Sequence, residues 1–419
     1  MEAISTGTFD TETFVKGKGA WLYDKQNKAY FDGTSGSGAV SLGHQHPYVT
    51  RAIISQAGKL SHTGCKLGSD IREKLAQKIV SMCHYQDGAA LFTVTGSEAV
   101  EAALKVARAY TGRKTIVHCK YAYHGKTSGS LSLTWRESFK KYSNLKNNNY
   151  LSIDLPDADA NDEEQKSHIK NINEQFTKLS LKNDCPAAIV IEPIRVTEGL
   201  LSLNKQFLED LINTAHAFNC IVIFDEIYIG LGRCGQLFYA DHLIAKPDLI
   251  LIGKTLGNGM PISLIVGEKK IINSLPNGIQ TSTYSGNPIC CAAAYASLEV
   301  IEKERLWEKA QVLETEFYEF LSKAARKYKF MSNIRAHGAL FSFTCVTHDG
   351  NPFPVLASQF KKNALDKGLI LFSGGFNESI VKLAPPVLMT LREKSQFKYL
   401  IKETLRSINV IISDIENGI

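Results

Sequence analysis

One lysine stands at the end of an apolar run, where it can do chemistry. Residues 249–252 are Leu-Ile-Leu-Ile, and Gly253 and Lys254 follow them directly. A short apolar run between proline and glycine is typical of a parallel strand covered on both faces. Burial lowers the pKa of a lysine, and such an amine can condense with an aldehyde. Lys254 is therefore a candidate Schiff-base lysine, unless it merely leads the chain back to solvent.

Two further apolar runs end in carboxylates. The run at 187–191 is followed by Glu192, and the run at 221–224 is followed by Asp225. In open α/β sheets, ligands bind at the carboxyl ends of the strands. Asp225 at that position can bond a protonated ring nitrogen, although it can equally serve as a structural or helix-capping residue.

A strand, a Gly-Ser turn and a helix follow one another from residue 91 to Tyr110. Gly96 and Ser97 lie at the turn. The free N–H groups and the positive end of the helix dipole favour a phosphate there, and glycine lets the backbone come close. The alternative is an ordinary helix in which Ser97 is the N-cap.

An aromatic residue follows the next predicted strand, residues 115–118. Tyr123 is followed by His124 and Gly125. This segment can offer a flat surface to a planar ring, or it can be a surface loop.

Together, these strand ends provide the parts that pyridoxal 5′-phosphate needs. They are an imine-forming lysine, an acidic partner for the pyridine nitrogen and a phosphate site. A P-loop is excluded twice, because the GKT sequences at 125–127 and 253–255 have Lys120 and Asp248 where the motif needs glycine.

The composition argues against several classes of protein. The chain has 419 residues, 44% of them hydrophobic, and a modest net charge of +6 without runs of like charge. This argues against a nucleic-acid or membrane role. The nine cysteines are scattered without C-x-x-C spacing, so neither a metal site nor a disulfide framework is predicted. With no signal segment and no membrane-spanning run, we expect a cytoplasmic protein in a reducing compartment.

The predicted fold class is α/β, with a large and a small domain. We expect residues 1–50 to join the small domain, residues 51–288 to form the large domain with a mostly parallel central sheet, and residues 289–419 to form the smaller α+β domain. Residues 47–83 and 289–329 have helical patterns, and a final helix is predicted at 393–415.

The motifs that carry a family resemblance occur in order along nearly the whole chain. They are GHQHP, GSEAVEAALKVARAYTG, YHGKT, IEP, FDEIYIGLGRCG, GKTLGNGMP, TYSGNP and LAPP. With them the sequence resembles the class III, or ornithine and 4-aminobutyrate type, aminotransferases of PLP fold type I. The cofactor contacts that the resemblance implies are Gly96, Ser97, Tyr123, His124, Glu192, Asp225, Tyr228, Lys254 and Thr283.

The resemblance also implies the roles of these residues. Lys254 would be the imine lysine and the acid and base, Asp225 would keep the ring nitrogen protonated, and Tyr123 would stack on the ring. Thr283 would reach the phosphate from the second subunit of a homodimer. An amino group would pass from an amino acid or ω-amine donor to a 2-oxo acid in a ping-pong sequence.

Four positions depart from the family pattern. Tyr228 replaces a glutamine that many relatives carry, and Arg195 stands in an altered loop, EPIRVTEGL. Lys126 and Lys382 stand where ornithine-type members have arginine, and lysine is a poorer carboxylate clamp. Ornithine, acetylornithine and 4-aminobutyrate are therefore not the expected substrates, and Lys126 and Arg195 are the candidate substrate contacts.

Two other functions remain open at this point. An amino-acid racemase or epimerase of the same fold would return the proton to Cα, and a binding module of this fold would not turn over substrate. The presence of Lys254 and Asp225 argues against the binding module.

Overall fold

Alternating strands and helices make up most of the chain. The computed structural model describes residues 12–141, 143, 149–156 and 160–416, with side chains up to residue 410. Residues 1–11 and 417–419, which the sequence assigns to the small domain, lie outside the described residues. The strands are β1 (Phe14–Lys18), β2 (Trp21–Asp24), β3 (Ala29–Asp32), β4 (Gly88–Thr93), β5 (Ile116–Cys119), β6 (Tyr150–Ile153), β7 (Ala188–Ile191), β8 (Ile194–Arg195), β9 (Leu201–Ser202), β10 (Ile221–Asp225), β11 (Leu249–Ile252), β12 (Ser263–Glu268), β13 (Met331–His337), β14 (Leu340–Cys345), β15 (Leu369–Ile370), β16 (Phe372–Gly374) and β17 (Ile380–Leu383).

Helices cover both faces of the central sheet. They are α1 (Ser35–Gly38), α2 (Pro47–Lys59), α3 (Asp70–Met82), α4 (Gly96–Thr111), α5 (Ser128–Leu133), α6 (Glu137–Lys140), α7 (Asp162–Leu181), α8 (Lys205–Ala217), α9 (Lys269–Ile272), α10 (Pro288–Lys303), α11 (Leu306–Lys327), α12 (Pro354–Asp366) and α13 (Leu391–Glu416). Of these helices, α11 and α12 contact strands of the C-terminal sheet.

The central sheet has seven strands in the order β4-β12-β11-β10-β7-β5-β6. Neighbouring pairs from β11 to β6 are parallel, whereas β12 is antiparallel to both β11 and β4. The strands β5, β7 and β11 are buried along their whole length, as expected for a sheet covered by helices on both faces. The predicted α/β class with a mostly parallel sheet is confirmed.

A second, smaller sheet of four strands lies in the C-terminal region, in the order β13-β14-β17-β16. The N-terminal strands β1 to β3 form another sheet with β15, in which β15 pairs with β3 and Phe31 is in register with Leu369. A segment near the N-terminus and a strand of the C-terminal region therefore share a sheet.

Two predicted helical stretches are each interrupted. Residues 47–83 form α2 and α3, with residues 60–69 between them outside any helix, and residues 289–329 fall in α10 and α11. At the second break Arg305 has a φ of +47°, a left-handed conformation that ends one helix before the next begins. The sequence pattern does not show this break because apolar residues continue on both sides of it.

The helix α13 is anchored by aromatic stacking. The ring of Phe397 is fully buried and lies parallel to Phe31, with centroids 4.7 Å apart. Phe317 of α11 contacts the same ring at 5.4 Å. These contacts join an N-terminal strand to two C-terminal helices.

We expect Phe397→Ala to lower the free energy of unfolding by about 3–5 kcal/mol, because it leaves a cavity among these rings. The measurement is the urea midpoint and slope. Tyr399→Ala, on the same helix but 61% exposed, is the matched control and should change stability by no more than about 0.5 kcal/mol. Equal losses in both variants would contradict this description of the core.

Candidate active site

The carboxyl ends of the parallel strands surround a cavity of about 550 Å³. Of the nine cofactor contacts expected from the sequence, those lining it are Gly96, Ser97, Tyr123, His124, Glu192, Asp225, Tyr228 and Lys254. Thr283 is exposed in the loop before α10 and lies outside the cavity lining.

Lys254 begins a short 3₁₀ turn directly after β11. It has a φ of +43°, a strained conformation of the kind that persists at functional sites. Burial of the ammonium lowers the pKa of Lys254, while the nearby carboxylates of Asp225 and Glu192 act in the opposite direction. Its Nζ lies over the Tyr228 ring, 4.1 Å from the centroid. The side chain therefore faces the cavity instead of leading the chain to solvent.

Asp225 is the last residue of β10 and is buried. Its Oδ2 lies 2.8 Å from Nδ1 of His124, and its Oδ1 accepts a hydrogen bond from the backbone N–H of Ile227. The carboxylate is therefore held from two sides. On the opposite side of the imidazole, Nε2 of His124 is buried and has no hydrogen-bond partner among the described residues.

Glu192 directly follows β7 and accepts a hydrogen bond of 2.7 Å from the backbone N–H of Tyr123. This bond fixes the segment that carries the Tyr123 ring. Burial and the neighbouring Asp225 raise the pKa of Glu192 well above its usual value. Glu192 thus connects the aromatic segment to the Asp225 side of the cavity.

The start of α4 presents backbone N–H groups to the cavity. Thr95 is the N-cap, and its side chain accepts from the N–H of Glu98. The alternative in which Ser97 caps the helix is therefore wrong. Gly96 and Ser97 are the first two helical residues, whose N–H groups have no partner within the helix. At Gly125 a Cβ would lie 2.2 Å from the Ser97 hydroxyl oxygen, so this close approach requires glycine.

The two candidate substrate contacts lie away from the cavity lining. Lys126 is exposed, with its Nζ 4.3 Å from the ring centre of Phe139. Arg195 is buried in β8, where it contacts the backbone oxygen of Lys120 at 3.5 Å.

A charged cluster near the cavity was missed by the sequence interpretation. Arg136 lies with its Nε 3.5 Å from Oε1 of Glu198 and forms a 2.6 Å ion pair with Glu378. Glu198 is buried, and the Nζ of Lys382 donates to the backbone oxygen of Thr197 at 2.9 Å. A signal was available, since a glutamate inside the apolar stretch VTEGLL needs a cation nearby.

The residues present fit pyridoxal 5′-phosphate. A lysine with a lowered pKa, a buried carboxylate held by a histidine, and a helix N-terminus that begins with a glycine share one cavity, as this cofactor requires. Among the described residues, no cluster of three or more His, Cys, Asp or Glu side chains could hold a metal ion. No helix in the described part of the chain has the length and apolar character needed to cross a membrane.

The family described as Aminotransferase class-III matches residues 7–405. The chain belongs to this family. A 5-aminovalerate aminotransferase of Pseudomonas aeruginosa is 31% identical over 376 residues, covering 87% of each protein. An acetylornithine aminotransferase of Bacillus cereus is 29% identical over 402 residues, covering 96% of this chain and 97% of the relative.

Solved structures agree with the assignment. The ornithine aminotransferase of Toxoplasma gondii superimposes with a TM-score of 0.85 at 25% identity, over 96% of this chain and 92% of the other. The class III aminotransferase described here is thus a pyridoxal-phosphate-dependent transaminase of fold type I. The names of these relatives support transamination over racemisation.

We expect the amine of Lys254 in the unloaded aminotransferase to titrate below the ordinary value of 10.5, because burial disfavours its charged form. Asp225→Asn should lower the midpoint further, since it removes the carboxylate that favours the ammonium. The measurement is the pH dependence of acylation at Lys254, followed by peptide mass spectrometry. Asp349→Asn, a highly exposed position, is the control, and a midpoint that rises in Asp225→Asn would contradict the assignment.

Proposed function

We propose that Lys254 and Asp225 are the catalytic residues of this transaminase. The observation that carries the proposal is the placement of both at adjacent strand ends in one cavity, with Asp225 fixed by His124 at 2.8 Å. When bound, pyridoxal 5′-phosphate supplies an aldehyde that takes up an amino group and a ring that accepts electrons from the broken Cα–H bond.

The residues of the chain account for the remaining requirements. The amine of Lys254 removes the proton from the substrate Cα and delivers it again, for which a lowered pKa is needed near neutral pH. The carboxylate of Asp225 stabilises a protonated ring nitrogen. Gly96 and Ser97 offer N–H groups to the phosphate, and Tyr123 offers its ring as a stacking surface.

The substrates are an amino donor and, we propose, a 2-oxo acid acceptor, bound in turn at the same cavity. The relatives act by name on 5-aminovalerate and acetylornithine. Neither Lys126 nor Arg195 has a role in this proposal, because neither lines the cavity. All nine cysteines are free, which supports a reducing compartment such as the cytoplasm.

We further propose that two copies of the chain form a homodimer in which Thr283 of each completes the phosphate site of the other. Thr283 is exposed and stands apart from its own cavity. Exposed apolar side chains occur in the same loop region, at Ile279 and Tyr284, and contact with a second copy would remove them from water.

Lys254→Ala should lower kcat for the full reaction by at least about 10²-fold, because no other group carries the proton at Cα. Lys254→Arg should be similarly impaired, since a guanidinium keeps a cation but stays protonated. Lys270→Ala, an exposed lysine, serves as the control. Turnover of Lys254→Arg near the wild-type rate would refute the proton-transfer role.

Thr283→Ala should weaken retention of the cofactor by about tenfold or more, because a hydrogen bond to a charged group contributes about 1.5–3 kcal/mol. Equilibrium dialysis of the cofactor measures this. The neighbouring Ser282→Ala is the control. Sedimentation of the loaded protein as a monomer would contradict both the dimer and the role of Thr283.

A further inference from the structure

A second cavity of about 170 Å³ adjoins the active-site cavity. The two cavities share Ser37, Thr197 and Tyr228 as lining residues. We call the smaller cavity the inner chamber. It extends from Tyr228 toward β14 and β17 of the C-terminal sheet, whose residues have no role in the proposed mechanism.

The walls of the inner chamber are mostly apolar. They include Val196, Leu200, Leu340, Phe341, Leu383 and Ala384, all of them buried. An apolar cavity of about 150 Å³ is known to bind benzene. The inner chamber therefore has the size and the chemistry to hold a benzene-sized or branched aliphatic group.

Lys382 is the one charged residue among the described residues lining the inner chamber. Its Nζ donates a hydrogen bond to the backbone oxygen of Thr197. Burial lowers the pKa of Lys382 to about 8, although the carboxylate of Glu198 acts in the opposite direction.

The carboxylate of Glu198 partly neutralises the positive charges of Arg136 and Lys382 near the inner chamber. It is buried, and Arg136 lies 3.5 Å from it. The carboxylate of Glu198 already raises the pKa of Lys382 against the effect of burial, so a substrate carboxylate placed at Lys382 would meet repulsion from a like charge. An uncharged group meets no such penalty.

Tyr228 stands between the two cavities, and its position depends on Gly38. A Cβ at Gly38 would lie 2.6 Å from the Tyr228 ring, and Gly38 itself has a φ of +81°. The preceding turn is held by the Asp32 carboxylate, which accepts from the N–H groups of Thr34 and Gly36.

We propose that the inner chamber binds an apolar, uncharged end of the amino donor, up to the size of a benzene ring, with Tyr228 at its entrance. This assignment rests on the proposed function, because it places the amino group of the donor at Lys254. It differs from the carboxylate-bearing donors for which the relatives are named.

Matched donors test the proposal with the cofactor-loaded protein. L-Norleucine and L-2-aminoadipate have equal carbon counts but differ in whether the end is a methyl or a carboxylate, and hexylamine and 6-aminohexanoate form the corresponding ω-amine pair. We expect kcat/KM to favour the apolar member of the reacting pair by about tenfold or more. A preference for the carboxylate member would overturn the proposal.

Variants that fill the inner chamber with a larger side chain test whether the preference for apolar donors arises there. Ala384→Leu and the larger Ala384→Phe should lower the ratio of kcat/KM for norleucine to that for alanine by about tenfold, because alanine has no side chain long enough to need the space. If the enzyme acts on ω-amines, the corresponding measurement is the ratio of kcat/KM for hexylamine to kcat/KM for ethylamine. An unchanged ratio in a folded variant would contradict the assignment.

Benzene binding separates this proposal from the proposed function. Ligand-observed NMR should show benzene bound to the loaded wild-type protein and a weaker signal for Ala384→Leu. If no donor changes the cofactor spectrum, the proposed function fails while benzene binding still tests the inner chamber. Absence of benzene binding to the wild type would overturn the inner-chamber proposal on its own.

Discussion

The site depends on the parallel register of β7, β10 and β11. Ile223 of β10 is in register with Val190 on one side and Leu249 on the other, so the three strands end at one level and deliver Glu192, Asp225 and Lys254 to one edge. Because side chains alternate between the faces of a sheet, a slip of one residue would turn Asp225 away from the cavity. The long apolar side chains of these strands set the register, and the chemistry at their ends follows from it.

Gathering ionisable groups at this edge has an energetic cost that the structure partly offsets. Burial moves the pKa of Glu192 upward and that of Lys254 downward, so each group favours its neutral form, while their mutual attraction opposes both shifts. Asp225 is stabilised by His124 and by a backbone N–H. The result is a carboxylate fixed in place beside an amine that is easily deprotonated, which is the pairing that proton transfer needs.

The sequence predicted the sheet and its strand ends because apolar runs of four or five residues followed by a polar residue are a local signal. It did not predict which residue caps α4, because Thr95 and Ser97 are chemically equivalent there and only backbone geometry separates them. The Arg136–Glu198 pair joins residues far apart in the chain, and the walls of the inner chamber come from several separate segments. Such contacts depend on tertiary packing and leave no local pattern.

Gly38 and Tyr228 lie so close together that a substitution at one position changes which side chains the other can accept. A side chain added at residue 38 would collide with the ring, whereas a small residue at 228 alone would leave a void beneath the Lys254 ammonium. Effects of substitutions at residues in contact are not additive. Exchange of this tyrosine for glutamine is therefore coupled to position 38, and a redesign of the pocket would have to vary both positions together.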